Sequence, residues 1–257
     1  MALPLTADRP EFAAPARTRT RSWFFVAMGG VAVLAVAIGF GRTYFAPMAR
    51  GTFAAPLVLH VHGAFAIAWV LLFAVQPHLV RMRQVKWHRR IGYAGLPLAI
   101  GVAATMLPAG VFQATRDAAT GAGPTGISAV LGVVTAAIMF VALVGAGVLS
   151  RKNREAHARW MLLATLVVIW PAWFRLRHWF PSVPRPEIWF ALVLADVWIV
   201  IAMIRDRVTR GAIHPVLLWG GTAVIVEQSL EVVFFDSPAW RVAAQWLYGL
   251  LRSSSGA

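Results

Sequence analysis

The residues best suited to chemistry in this chain are histidines, acids and one arginine set in apolar surroundings. His88, His157 and His214 each stand where an apolar run begins. Each follows arginines: Arg81 and Arg83, Arg151 and Arg154, and Arg205, Arg207 and Arg210. A helix N-terminus leaves backbone N–H groups without partners, and a neutral imidazole can accept from one. Helix capping, with interfacial anchoring by Trp87 and Trp160, therefore accounts for the pattern without a ligand. Two sharper chemistries fit the same residues. Three positive helix ends with arginines would hold an anion such as a lipid phosphate or a haem propionate. Alternatively, two of His88, His157 and His214 would ligate a haem b iron or another metal, with Arg89 and Arg159 beside the propionates. The arginines oppose a bare divalent cation and suit haem, whose propionates are anionic.

A second set lies inside apolar runs: His60 and His62, Arg175, Asp196, Glu227 and Glu231. Ionisable groups there are costly and commonly functional. Counted at about 1.5 Å per residue, His62, Asp196, Glu227 and Arg175 fall about 8 to 13 Å below one membrane boundary. They come from four helices yet share a layer. Glu227 and Glu231 share a helix face by their i, i+4 spacing. His60 and His62 point about 200° apart, so at most one faces a shared partner. The structural reading pairs Arg175 with Asp196 or Glu227 and fixes helix packing. The functional reading is a catalytic pocket of Asp196, Glu227, His62 and Arg175 that carries protons, binds an anionic head group or supplies a general acid. His60 and His78 also share a face at opposite ends of one helix, as a two-haem wire would need, although Pro77 would bend it.

The elements that must position these residues follow from composition. The chain has 257 residues, 59% hydrophobic and 13% charged, where a soluble domain carries about 25% charged residues. Such lettering belongs in a bilayer. Cysteine is absent, which excludes disulfides, iron–sulfur clusters and thiolate-held metal or haem. The net charge of +14 would suggest nucleic acid in a soluble protein, but membrane topology explains it more simply, and no nucleic-acid partner is expected. Seven apolar segments run over 22–40, 53–79, 91–112, 127–149, 160–174, 188–204 and 213–235. The fifth is short and is expected to continue to Phe180, with a kink at Pro171. The N-terminal region and the loops after segments two, four and six hold 4, 5, 4 and 3 lysines and arginines, 16 in all, against 8 on the other side. The N-terminus is then cytoplasmic.

The fold class expected is therefore all-α: a seven-helix transmembrane bundle over 22–235, preceded by a disordered basic tail over 1–21. Residues 236–257 form an interfacial helix and a flexible end. Ser237 and Pro238 read as its N-cap and first position, and Trp240, Ala243, Leu247, Leu250 and Leu251 as an apolar stripe lying on the outer membrane surface. No nucleotide-binding loop or nucleophile elbow appears in a supporting context.

The runs "HGAFAIAWVLLFAVQ" leading to "HRRIG", then "EAHARWMLLAT", then "GAIHPV" before a final span, resemble a group of uncharacterised bacterial multi-pass inner-membrane proteins. The resemblance covers the chain from about residue 22 and implies residence in the bacterial inner membrane. Histidine usage is loosely similar to b-type membrane cytochromes and oxidase-assembly factors. It departs from the cytochrome pattern in placing His88 and His157 at helix starts. Three functions follow: a haem- or metal-associated protein in electron transfer or respiratory oxidase maturation; a cofactor-free membrane enzyme acting on a lipid or isoprenoid by acid catalysis; or an accessory membrane subunit. Whether the chain is an enzyme stays open at this point. Membrane lipids are the partners expected, with a membrane-protein partner or a second copy as further ones.

Overall fold

The computed structural model describes residues 23–254, so the basic tail over 1–21 lies outside the described residues. The described residues are 86% helical, and no strand occurs among them. Seven helices are long and apolar enough to cross a membrane: α1 (Phe24–Ala49), α2 (Leu57–Arg81), α3 (Val85–Ala122), α4 (Pro124–Leu149), α5 (Arg154–His178), α6 (Glu187–Arg210) and α7 (Val216–Phe234). An eighth, α8 (Pro238–Ser254), follows. The chain is a multi-pass membrane helical bundle. Its basic face carries the α2–α3, α4–α5 and α6–α7 loops, and the opposite face carries the other connections.

The apolar pattern placed every span but misplaced several ends. α1 runs past the expected stop at Phe40 through a wide π-type turn over Gly41–Phe45. Polar ties to the end of α5 hold that extension: Arg42 donates to the His178 carbonyl (2.7 Å), and the Trp179 indole donates to the Ile38 carbonyl (3.0 Å). α5 begins six residues before position 160, because Asn153 caps it by accepting from the Glu155 and Ala156 N–H groups (3.1 and 3.2 Å). It passes through Pro171 and tightens into a 3-10 turn over Arg175–His178, short of Phe180.

α5 is the hub. It packs against α1, α2, α4, α6 and α7, and its most apolar window is 61% buried against 17–39% for the other spans. A helix surrounded by protein need not be apolar all round. Its mean hydropathy of 1.2 is accordingly the lowest of the seven. Leu162, Leu163 and Ile169 of α5 form the core with Phe140, Ile199 and Leu217. Thr165 accepts from the Trp69 indole (3.2 Å). Without a hydrophobic drive between helices in lipid, close backbone approach supplies the packing. α1 and α5 meet at Gly39, where a Cβ would lie 2.2 Å from the Ala172 carbonyl oxygen.

The amphipathic stripe of α8 corrects one expectation. Trp240, Ala243, Leu247 and Leu251 turn towards the bundle and pack α8 on α3 and α4. A different set, Val242 and Trp246 (68% and 65% exposed) with Leu250, faces outward. Ser253 and Ser254, expected in a flexible end, complete the helix. The dock is polar at its start. Asp236 accepts from Ser128 (2.6 Å), Thr125 (2.7 Å) and both Nε and Nη2 of Arg241 (2.6 and 2.5 Å), and the Trp240 indole donates to the Ser128 carbonyl (2.9 Å).

These donors, Arg241 first and then Ser128 and Thr125, hold the Asp236 carboxyl well below the usual carboxylate range. A depressed carboxylate stabilises the dock at every pH above its free value of about 3.9, and the gain is lost only as pH falls through the folded value. Limited proteolysis in detergent should therefore leave α8 attached at pH 5, and Asp236→Ala should release it at pH 7. Equal cleavage of both proteins would contradict this account.

Candidate functional site

On the basic face the charges are tied up in pairs. Arg159 and Asp206 are 2% and 1% exposed and form a bidentate pair, Nε to Oδ2 at 2.7 Å and Nη2 to Oδ1 at 2.6 Å. The remaining nitrogen of Arg159 donates to the Glu155 carbonyl (2.9 Å), Arg205 adds a bond to Asp206 (2.9 Å), and Glu155 pairs with Arg210. The guanidinium of Arg159 is thus committed to protein partners rather than turned towards an anion. Asp206 and Glu155 carry this network, and neither stood out in the sequence because both sit among arginines in loop-like stretches. A cavity of about 380 Å³ lies alongside, lined by Glu155, Arg210, Ala212, Ile213, His214 and Pro215.

The three basic-face histidines have different roles. His214 Nδ1 accepts from the Val216 N–H (3.1 Å), so its proton is on Nε2 and neither nitrogen offers a lone pair to a metal. Burial, with Arg159 and Arg210 nearby, holds its imidazolium below the usual histidine range, and a neutral cap follows. His157 Nδ1 lies 2.8 Å from the Gly147 carbonyl. A carbonyl only accepts, so Nδ1 carries the hydrogen and Nε2 keeps its lone pair. His88 lies within electrostatic reach of His157. Its Nδ1 is buried without a hydrogen-bond partner, as are both amide atoms of Gln76. Arg89 is exposed beside them.

In the opposite half the four-residue layer divides into two pairs. His62 Nδ1 meets Thr105 Oγ1 (3.0 Å), and that hydroxyl donates to the Gly101 carbonyl (2.6 Å). The imidazole therefore donates from Nδ1 and keeps a lone pair on Nε2. Arg175 lies in electrostatic reach of His62, donates to the Pro171 carbonyl (3.2 Å) and packs over the Phe40 ring at 4.3 Å. His60 joins a separate aromatic nest with Tyr44 (3.0 Å) and Phe53.

Asp196 and Glu227 form the other pair, between α6 and α7. Asp196 is 6% exposed, and neither carboxyl oxygen has a hydrogen-bond partner. The ion pair expected between Arg175 and Asp196 is therefore not made. Counting residues sets depth, but the rotation of each helix about its axis decides what faces what. Glu231 continues the acidic series within reach of Glu227. Both α6 and α7 open with a wide π-type turn, over Glu187–Val193 and Val216–Gly221, a device that recurs at functional sites.

Facing the acids is a stripe of α4 that the sequence reading passed over. Thr125, Ser128, Gly132 and Thr135 recur at helical spacing on one side. Thr125 and Ser128 bind Asp236, Gly132 receives the Glu231 carboxyl, and Thr135 hydrogen-bonds Glu227. A comparison with known protein families, curated proteins and solved structures finds no match to this chain.

Proposed function

We propose that this chain is an inner-membrane enzyme whose Asp196, with Glu227, donates a proton to a lipid or isoprenoid substrate. The observation that carries the reading is the Asp196 carboxyl, buried in the bilayer half of the bundle with neither oxygen partnered. Burying an isolated carboxylate is prohibitive, and such a group is stable as the neutral acid. A neutral acid in apolar surroundings is what protonation of a weakly basic carbon needs. In the step proposed, the Asp196 O–H bond breaks as a C–H bond forms at one alkene carbon, leaving a cation on the other. Loss of a proton from the neighbouring carbon to the Asp196 carboxylate restores both the acid and an alkene. His62 and Arg175, between α2 and α5, stand ready to hold a polar or anionic head group. The excess of lysine and arginine on the loops of the basic face supports a cytoplasmic position for that face.

Deuterium reports the step. Wild-type protein in nanodiscs with a bacterial lipid extract and a polyprenyl lipid, incubated in D₂O, should transfer deuterium to lipid carbon, read by mass spectrometry. A positioned general acid contributes about 10²–10⁴-fold, so Asp196→Asn should slow labelling by at least about a hundredfold. A wild-type protein that leaves every lipid unlabelled overturns the proposal.

A second reading is favoured by the Nε2 lone pair of His157 and the unpartnered Nδ1 of His88. These two nitrogens suit a haem or metal, with Gln76 and Arg89 beside them. Haem bound there would supply one-electron transfer, as in electron transport or oxidase maturation. A Soret band that disappears in His157→Ala supports it, and a colourless, metal-free purified protein ends it.

A further inference from the structure

We infer that Asp196 takes its protons from the face opposite the basic loops, through Glu231 and then Glu227 along the seam between α4 and α7. The inference rests on Asp196 being the working acid, but its test separates the two. Asp196 lies deep and has no cation beside it; its substrate returns a proton at each turnover, but transfer of a solvent deuteron to lipid requires the acid to exchange with water, and that exchange needs a route.

The seam between α4 and α7 carries a series of groups able to pass a proton. Glu227 lies within electrostatic reach of Asp196, and Glu231 is within reach of Glu227 one turn further along α7. Their i, i+4 spacing puts both on one face. That face meets the small and hydroxyl-bearing stripe of α4. Thr135 hydrogen-bonds Glu227 and donates to the Gly132 carbonyl (3.0 Å). Gly132 has no side chain, and the Glu231 carboxyl fills the place a side chain would take: a Cβ there would sit 2.0 Å from Glu231 Oε1. Gln228, 6% exposed, points a further unpartnered Oε1 into the interior beside Glu227. These unpartnered oxygens are independent of the acids' spacing and mark a place where protons or water are needed.

The file stops at the dock of α8. Asp236, held by four donors, is a fixed anion rather than a relay. It anchors the start of α8 over the end of the seam, and Glu231, only partly buried, is the outermost acid of the series. No comparable series of acids leads from Asp196 to the basic face among the described residues. There Asp206 and Glu155 are tied to Arg159, Arg205 and Arg210.

Hydrogen–deuterium exchange at the Asp196 acid tests the route. The probe is its carbonyl infrared band in nanodiscs moved into D₂O, assigned as the band lost in Asp196→Asn. Since a positioned proton-transfer group contributes about 10²–10⁴-fold, Glu231→Gln should slow exchange at least about tenfold. Glu231→Asp should restore most of the rate. Gly132→Val should slow it as well, by displacing the Glu231 carboxyl, which guards against a folding defect peculiar to the glutamine variant. Lys152→Gln, an exposed position on the basic face, should leave it unchanged. Unaltered exchange in both Glu231→Gln and Gly132→Val overturns the route, even if wild-type protein labels lipid. Slowed exchange together with unlabelled lipid keeps the route and removes the catalytic reading.

Discussion

Asp206→Asn should cost the bundle about 3–5 kcal/mol, the loss seen when one partner of a buried ion pair is removed. The size comes from what is left behind. Arg159 is 2% exposed, and two of its three nitrogens point at Asp206. With asparagine there, a full positive charge remains buried with only carbonyl oxygens for partners. Glu155 at 3.8 Å from Arg159 is already held by Arg210 and compensates only in part. The pair joins the start of α5 to the end of α6, so thermal unfolding in detergent, followed by tryptophan fluorescence, should report the loss directly. The double change Arg159→Met with Asp206→Leu should recover most of it, because it removes both charges and retains apolar volume. A single-variant loss below about 1 kcal/mol would mean that the pair is solvated in the membrane-bound protein.

Gly39→Leu is the second large effect, for a steric reason rather than an electrostatic one. The position faces the backbone of Ala172, and backbone cannot rotate away as a side chain can. α1 must move off the hub, at about 3 kcal/mol for the overpacking. The movement also strains the ties from Arg42 to His178 and from Trp179 to Ile38. Gly30, on the same helix with nothing within 4 Å of an added Cβ, is the matched control. There Gly→Ala should be neutral or stabilising by up to about 1 kcal/mol, since alanine is the better helix former. Equal melting shifts at the two glycines would show that α1 does not seat against α5 as described.

Much of the architecture was legible beforehand. Lipid contact demands apolar letters over a fixed length, and that demand is local, so each span appears in its own stretch of sequence. Where contact is with protein instead, legibility falls. α5 looked too short because its first turns are polar, and their Glu155 and Arg159 are met by Arg210 and Asp206 of α6 rather than by lipid. Gly132 and Thr135 looked like filler on α4, and only the arrival of Glu231 and Glu227 gives them a role. The histidines divide in the same way. The capping of α7 by His214 is a contact between neighbours in sequence, of the kind expected of a histidine at a helix start. The approach of His88 to His157 was one of several pairings the three histidines allowed, and spacing alone did not choose among them.

The sequence by itself determined that this is a seven-span helical membrane protein with one basic face, because hydrophobic length and charge bias act residue by residue against the bilayer. Only the tertiary structure decided the partners. It gave Arg159 to Asp206, left Asp196 without a cation, and set Glu227 and Glu231 against α4. Those choices depend on which helices are adjacent and how each is rotated about its axis. Both are set by packing between segments far apart in the chain, and no single stretch of residues encodes them.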